Sequence, residues 1–300
     1  MLLGQYSINH LAILRTPCYI IPSMKTHPTV AYLGPEGTFS HLVARKRFGA
    51  SARLVPQPSV YDVFAYVRSG PRRIGIAPIE NSSGGTIYET IDGLVAQAGK
   101  VTIQEELSLN VRLALLGRRG ETIRALYSHF VPLQHVQPWV REHLPGVRQI
   151  HTASTARAAE AASVEQGAAA LGTREAAKRY NLNVLKFPVH SAVPNITEFV
   201  VVGRRGEPAP RSVKTSLLVM LENRPGSLFD FLQAFKKSDV NLTRLLSRPI
   251  IGQPKSYLFV VDLQGIPSAP AVKQALADAR KAARSLTVLG VYPVRKMYAS

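Results

Sequence analysis

Apolar and polar positions along the chain change period several times, and each change marks an element. Thr29 to Leu33 is a short apolar run read as a buried strand; Gly34-Pro35-Glu36-Gly37 turns, and Thr38-Phe39-Ser40 opens a helix from about His41 to Phe48. Ile74 to Ile79 is a second apolar strand. It ends in the polar, glycine-rich loop Glu80 to Thr86, ahead of a helical pattern from Ile87 to Ala96. Alternation of Leu109, Val111, Leu113 and Leu115 predicts a strand beginning near Ser108. Ile123 to Tyr127 then leads into Ser128-His129, and Trp139 to Leu144 reads as helical. Ser154 and Thr155 stand at the mouth of an alanine-rich helix, Ala168 to Leu171 is apolar, Arg174 to Tyr180 is helical and Asn183 to Phe187 is strand-like. The apolar run Val200-Val201-Val202 follows the polar stretch Asn195-Ile196-Thr197-Glu198-Phe199.

A proline-rich linker, residues 206–213, separates this region from a second rhythm. Strands at Thr215 to Leu221, Asn241 to Ser247, Tyr257 to Leu263 and Val288 to Val294 alternate with helices at Gly226 to Lys236 and Ala271 to Arg284. That βαββαβ order predicts a ferredoxin-like domain over residues 214–300. The fold class is α/β throughout.

With 37 Lys and Arg against 19 Asp and Glu, the net charge of +18 admits nucleic acid, an anionic surface or a polyanionic small substrate as partner. The basic residues are scattered and carry no RNA-module or zinc-finger spacing, which argues against nucleic acid. One cysteine, Cys18, leaves no intramolecular disulfide and no multi-cysteine metal site, in keeping with a reducing cytosol. No window approaches the roughly 20 apolar residues of a membrane span. Residues 1–28 make a poor secretory signal and are expected to be a leader, disordered or untranslated, with Met24 as a candidate start.

The chemistry-bearing residues are mostly neutral donors at strand ends and helix mouths. No phosphate loop, dinucleotide fingerprint or H-E-x-x-H spacing is present, so a site for a small anion, with no metal and no cofactor, fits best. Thr38 and Ser40, like Ser154 and Thr155, also suit helix capping, and Asn81 and Ser82 suit a turn.

Leu33-Gly34-Pro35-Glu36-Gly37-Thr38-Phe39-Ser40, Pro78-Ile79-Glu80-Asn81-Ser82, Ser154-Thr155-Ala156 and the Asn-x-Thr-x-Phe block, in that order, resemble the prephenate dehydratase family. Arg224-Pro225-Gly226-Ser227-Leu228 and Leu246-Ser247-Arg248-Pro249 resemble the two phenylalanine-binding motifs of its ACT regulatory domain. The resemblance implies a catalytic region, 29–205, of two lobes similar to type 2 periplasmic binding proteins. Lobe one would hold 29–107 and 193–205, lobe two 108–192, with the site in the cleft. It implies loss of water and carbon dioxide from prephenate to give phenylpyruvate, with feedback by phenylalanine in a homo-oligomer, dimer or tetramer. Thr197 would be catalytic, and Thr38, Ser40, Asn81, Ser82, Ser128, Ser154, Thr155, Asn195 and Phe199 would bind substrate. Asn223, Pro225, Gly226, Ser227, Leu228, Asn241, Ser247 and Arg248 would bind phenylalanine.

Three motifs depart from the family pattern: Glu198 stands where Thr-Arg-Phe has arginine, Phe130-Val131 where Ser-His-Pro-Gln has its last two residues, with His135-Val136 where Gln-Cys is usual, and Leu246 where Glu-Ser-Arg-Pro has glutamate. Neighbours in a strand point to opposite faces. A Glu198 facing the cleft would repel a dianion; it would then favour arogenate, whose side chain carries an amine, or a weakened aromatic-ligand sensor. The direction of Glu198 therefore decides between these readings.

Overall fold

The computed structural model describes residues 29–190, 192–204, 211–250, 252–253 and 256–300. The leader and most of the linker lie outside them. Lobe one contains β1 (Thr29–Leu33), α1 (Phe39–Phe48), β2 (Arg53–Gln57), α2 (Val60–Arg68), β3 (Arg73–Asn81), β4 (Gly85–Thr86), α3 (Tyr88–Ala96) and β5 (Val101–Asn110). Lobe two contains β6 (Ala114–Gly117), β7 (Ala125–Ser128), α4 (Phe130–His135), α5 (Gln137–His143), β8 (Arg148–His151), α6 (Thr155–Val164), β9 (Ala168–Gly172), α7 (Arg174–Arg179) and β10 (Asn183–Lys186). The chain returns to lobe one through β11 (Ile196–Arg204). The C-terminal domain follows as β12 (Lys214–Met220), α8 (Ser227–Lys237), β13 (Leu242–Pro249), β14 (Tyr257–Gln264), α9 (Pro270–Ala282), β15 (Ser285–Tyr292) and β16 (Tyr298–Ala299).

The C-terminal strands run in the order β13-β14-β12-β15, the ferredoxin-like arrangement expected from the βαββαβ pattern. Two expectations need correction. The strand read from Ser108 to Leu115 is the end of β5 and the start of β6. The alternation persists between them because this extended segment crosses buried between two sheets, with Val111 N–H donating to Asn195 O (2.7 Å) and Leu113 O accepting from Val189 N (2.8 Å). The other concerns β2 and α2, which fall in a stretch assigned no element. Pro56 obscures β2, and the proline is tolerated because β2 is an edge strand. The helix α2 is nine residues rich in β-branched and aromatic side chains, of low intrinsic propensity. It forms because Val60, Val63, Phe64 and Val67 all bury against the sheet.

Strand alternation divides the core. Phe199 and Val201 face a cluster shared with α1 and lobe two, whereas Val200 and Val202 face one shared with α2, α3 and the helix-free side of the C-terminal sheet. The C-terminal domain therefore packs on lobe one through a common apolar core. The two sheets also join edge to edge, at the pair Gly290–Ile103 between β15 and β5. Beyond it the chain keeps company with β5, through Glu106–Val294 and then Tyr298–Leu109, until Ser300 N–H reaches Asn110 O.

Candidate active site

Both crossover strands pass side by side into lobe two, β11 lying between β5 and β3. In that ladder Thr197 stands opposite Asn81, and their side chains meet: Asn81 Nδ2 donates to Thr197 Oγ1 at 2.8 Å and to Asn195 Oδ1 at 2.8 Å. The other end of the Asn81 amide is fixed too. Its Oδ1 accepts from the backbone N–H groups of Ser83 (2.9 Å) and Gly84 (2.7 Å), an Asx turn that shapes the loop after β3. Because Thr197 Oγ1 serves as the acceptor for Asn81, its own proton is left to donate outward; among the described residues it meets no acceptor.

Ser82, expected to bind substrate, also fastens the backbone. Its Oγ accepts from Ile196 N–H (2.9 Å) and donates to Pro194 O (3.1 Å), so it staples the loop to the start of β11. Phe199, expected to bind substrate, is buried in the apolar core that lobe one shares with lobe two. Thr38 caps α1, accepting from His41 N–H at 3.2 Å, and both Thr38 and Ser40 are buried at that helix mouth.

Lobe two presents the C-terminal ends of its parallel strands, where helix N-termini gather. Ser128 ends β7 and is fully buried, donating to His129 O (2.9 Å); Ser154 caps α6 through Arg157 N–H (3.1 Å), with Thr155 buried beside it. Burial, with His151 adding to it, holds the His129 imidazole below its ordinary pKa, so it is neutral at pH 7.

Three residues that join the lobes carry little or no sequence signal. Ser83 Oγ lies 2.7 Å from His135 Nδ1, reaching from the loop after β3 to α4. Thr173 caps α7 and also donates to Gly37 O at 2.8 Å, while Arg179 pairs with Glu36 next to it. The Ser83–His135 contact spans 52 residues and leaves no trace in local pattern. Thr173, by contrast, repeats the hydroxyl-before-helix pattern of Ser154. A cavity is lined by Asn110, Arg112, His135, His190 and Asn195, the last of which accepts from Asn81.

Glu198 points away from this cleft. Its carboxylate accepts from Arg244 Nη2 at 2.8 Å, and the same guanidinium reaches Glu80 (3.0 Å) and Asp262 (2.6 Å). Burial works against the Arg244 charge, but Asp262, Glu198 and Glu106 outweigh it and hold the guanidinium protonated well above its ordinary range. The sequence alternative that placed a Glu198 carboxylate beside the substrate is thus overturned by strand alternation: Thr197 and Asn81 face the cleft, Glu198 and Glu80 the C-terminal domain.

The expected regulatory residues divide. Asn223 to Leu228 form the loop and first turn of α8, and Ser247 lies at the same end of the domain; Asn241 lies beyond the far end of α8. Ser227 is buried and its hydroxyl has no partner among the described residues. Arg248 sits on the opposite face of β13, where it grips Asp92 of α3 at 2.6 and 2.8 Å and covers the Tyr88 ring.

Comparisons with known proteins match this arrangement. The profile of the family described as prephenate dehydratase matches residues 30–207, and that of the ACT domain residues 215–281. The chain is 33% identical to a bifunctional chorismate mutase/prephenate dehydratase of Aquifex aeolicus, over 90% of this chain and 75% of that one. It is 31% identical to a prephenate dehydratase of Mycolicibacterium vanbaalenii, over 89% and 91%. Among solved structures, the prephenate dehydratase of Arthrobacter aurescens in complex with L-Phe is similar at a TM-score of 0.80 and 30% identity, covering 88% of this chain and 89% of that one. GqqA, described as a novel type of quorum-quenching acylase, is similar at 0.79 and 28%, covering 89% and 98%.

Proposed function

The chain belongs to the prephenate dehydratase family and carries an ACT domain after its catalytic region, and on that premise we propose that it converts prephenate to phenylpyruvate, with phenylalanine as feedback ligand and no cofactor. The observation that carries this reading is the oriented hydroxyl of Thr197. As the C–CO₂ bond breaks, its electron pair aromatises the ring and expels the ring hydroxyl as hydroxide, which needs a hydrogen-bond donor in the transition state. Asn81 pins the Thr197 oxygen from behind, so the threonine proton is aimed where that charge develops. A threonine is far too weak an acid to titrate here; it donates a hydrogen bond, and the hydroxide collects its proton from solvent. The helix mouths of α1 and α6 supply N–H groups for the two carboxylates, and the net positive charge speeds encounter.

Prephenate is favoured over arogenate because the only support for arogenate was a carboxylate in the cleft, and Glu198 is engaged by Arg244. An acylase reading with Thr197 as nucleophile, taken from the likeness to GqqA, finds no base on that hydroxyl among the described residues: the partner of Thr197 Oγ1 is an amide, which takes no proton. The test is turnover of prephenate and arogenate by the purified chain, with phenylpyruvate and phenylalanine as the respective products. Prephenate is expected to be preferred in kcat/KM, and absence of phenylpyruvate would overturn the reading.

For feedback, the loop Asn223 to Leu228 offers a helix N-terminus and the unpartnered, buried Ser227 hydroxyl, donors suited to an amino-acid carboxylate. Calorimetry should show saturable phenylalanine binding in the wild type, weakened on the order of tenfold by Ser227→Ala, the effect of losing one hydrogen bond to a charged group. No binding heat in the wild type would remove the regulatory assignment. We place the protein in the cytoplasm as a homo-oligomer; among the described residues no helix is long and apolar enough to cross a membrane.

A further inference from the structure

We propose that Arg244, in the C-terminal domain, is the positioning residue that holds the Asn81–Thr197 pair in register. Glu80 and Glu198 are directly opposite one another across β3 and β11, one residue before Asn81 on its strand and one after Thr197 on its own. Two carboxylates in that relation repel and would push the strands apart. The next step of the ladder is irregular: the register slips between Glu198 and Phe199, where Phe199 pairs with Pro78 rather than Ile79. Arg244 removes the repulsion. A single planar guanidinium takes both carboxylates on one edge, at 2.8 and 3.0 Å, and is itself anchored by Asp262 at 2.6 Å.

The anchor is firm. The Asp262 side chain is 1% exposed and the Arg244 side chain 9%. Asp262 also accepts from Ser216 and lies 3.3 Å from Lys214 Nζ, which in turn holds Glu106 of β5 at 2.8 Å. One chain of charges, buried at Glu106, Lys214, Asp262 and Arg244 and half-exposed at Glu80 and Glu198, thus runs from β5 through the C-terminal sheet to the ends of β3 and β11. The sheet is one residue thick at that point. A displacement of β13 is delivered to the Glu80–Glu198 pair on one face and appears on the other as a change in the Asn81–Thr197 separation.

This proposal rests on the reading of Thr197 and Asn81 given above, and its test separates the two. In the full-length protein, Arg244→Met should lower kcat by about tenfold, worth ~1.4 kcal/mol of barrier, with KM changed by less than about threefold. Arg244→Lys, which keeps the charge without the fork, should recover only part of the loss. In an Asn81→Ala background the same Arg244→Met change should cost less than about twofold, since what it positions is gone. A residue that merely stabilised the fold would lower kcat equally in both backgrounds, and that result overturns the proposal. Hydrogen exchange read by mass spectrometry provides an arm independent of turnover: backbone amides of residues 81–86 and 196–199 should exchange about tenfold faster in Arg244→Met, with β9 unchanged. Unchanged exchange at those residues defeats the inference even if prephenate is not the substrate, whereas an inactive wild type with the expected exchange defeats only the reading of the reaction. Should Arg244→Met fail to fold, Glu198→Gln removes one of the two repelling charges at a half-exposed position and should make turnover less dependent on Arg244; equal losses for Arg244→Lys with and without it count against the proposal.

Discussion

Replacing Thr197 by valine is expected to lower kcat by on the order of 10²- to 10³-fold, the usual loss when one preorganised donor to a developing oxyanion is removed. Valine keeps the β-branch and nearly the volume, so β11 retains its packing and its register against β3 and β5. The Asn81 amide loses Thr197 Oγ1 as an acceptor and keeps Asn195 Oδ1 and Ile196 O, so stability should fall by only about 1 kcal/mol. KM should change little, because the substrate carboxylates are assigned to other groups. Thr197→Ser retains the hydroxyl and should recover most of the rate. Steady-state kinetics on prephenate with thermal unfolding of each variant provides the check; a valine variant within about fivefold of wild-type kcat would remove Thr197 from the mechanism.

Gly290→Ala should destabilise the protein by about 3 kcal/mol, the upper end for overpacking a well-filled site. A Cβ built on Gly290 would lie 2.4 Å from Ile103 O, 2.8 Å from Ile103 Cβ and 3.0 Å from Ile103 N. Two of these are backbone atoms of a central strand, so no rotamer change relieves the clash. The chain must separate β15 from β5 at their only register pair, and so disturb the join between the C-terminal sheet and lobe one. For a chain of this size the melting temperature should fall by roughly 6–12 °C, read by differential scanning calorimetry. A change below about 2 °C would mean that this join carries no load.

Much of this was legible in the sequence because it is local. Strand-turn-helix units announce themselves by a change of period, and the donors of the cleft by a hydroxyl or amide placed where a strand ends or a helix begins. Asn81 and Ser154 lie at such places, and Thr197 lies where a strand begins. The βαββαβ order specified the C-terminal domain without any long-range knowledge. What stayed hidden is long-range. Nothing in the local pattern relates Arg244 to Glu80, 164 residues away, or Ser83 to His135, and both contacts depend on how separate units dock. Glu198 is the instructive case: alternation alone said that it faces away from Thr197, but only the docked C-terminal domain says what it faces. Ser82 shows the reverse. It has the composition of a ligand-binding residue and spends its hydroxyl on backbone.

The contact in which Thr173 donates to Gly37 O beside the Arg179–Glu36 pair makes the cleft a door with a hinge and a latch. The two paired crossover strands are the hinge, since both connections between the lobes pass there. That latch, one hydrogen bond and one half-exposed ion pair, acts together with the Ser83–His135 contact and the apolar cluster the lobes share. Added salt weakens the latch by screening the exposed ion pair. Ionic strength therefore acts on admission of the dianion twice over: it loosens the door and weakens the positive field that draws the substrate to it.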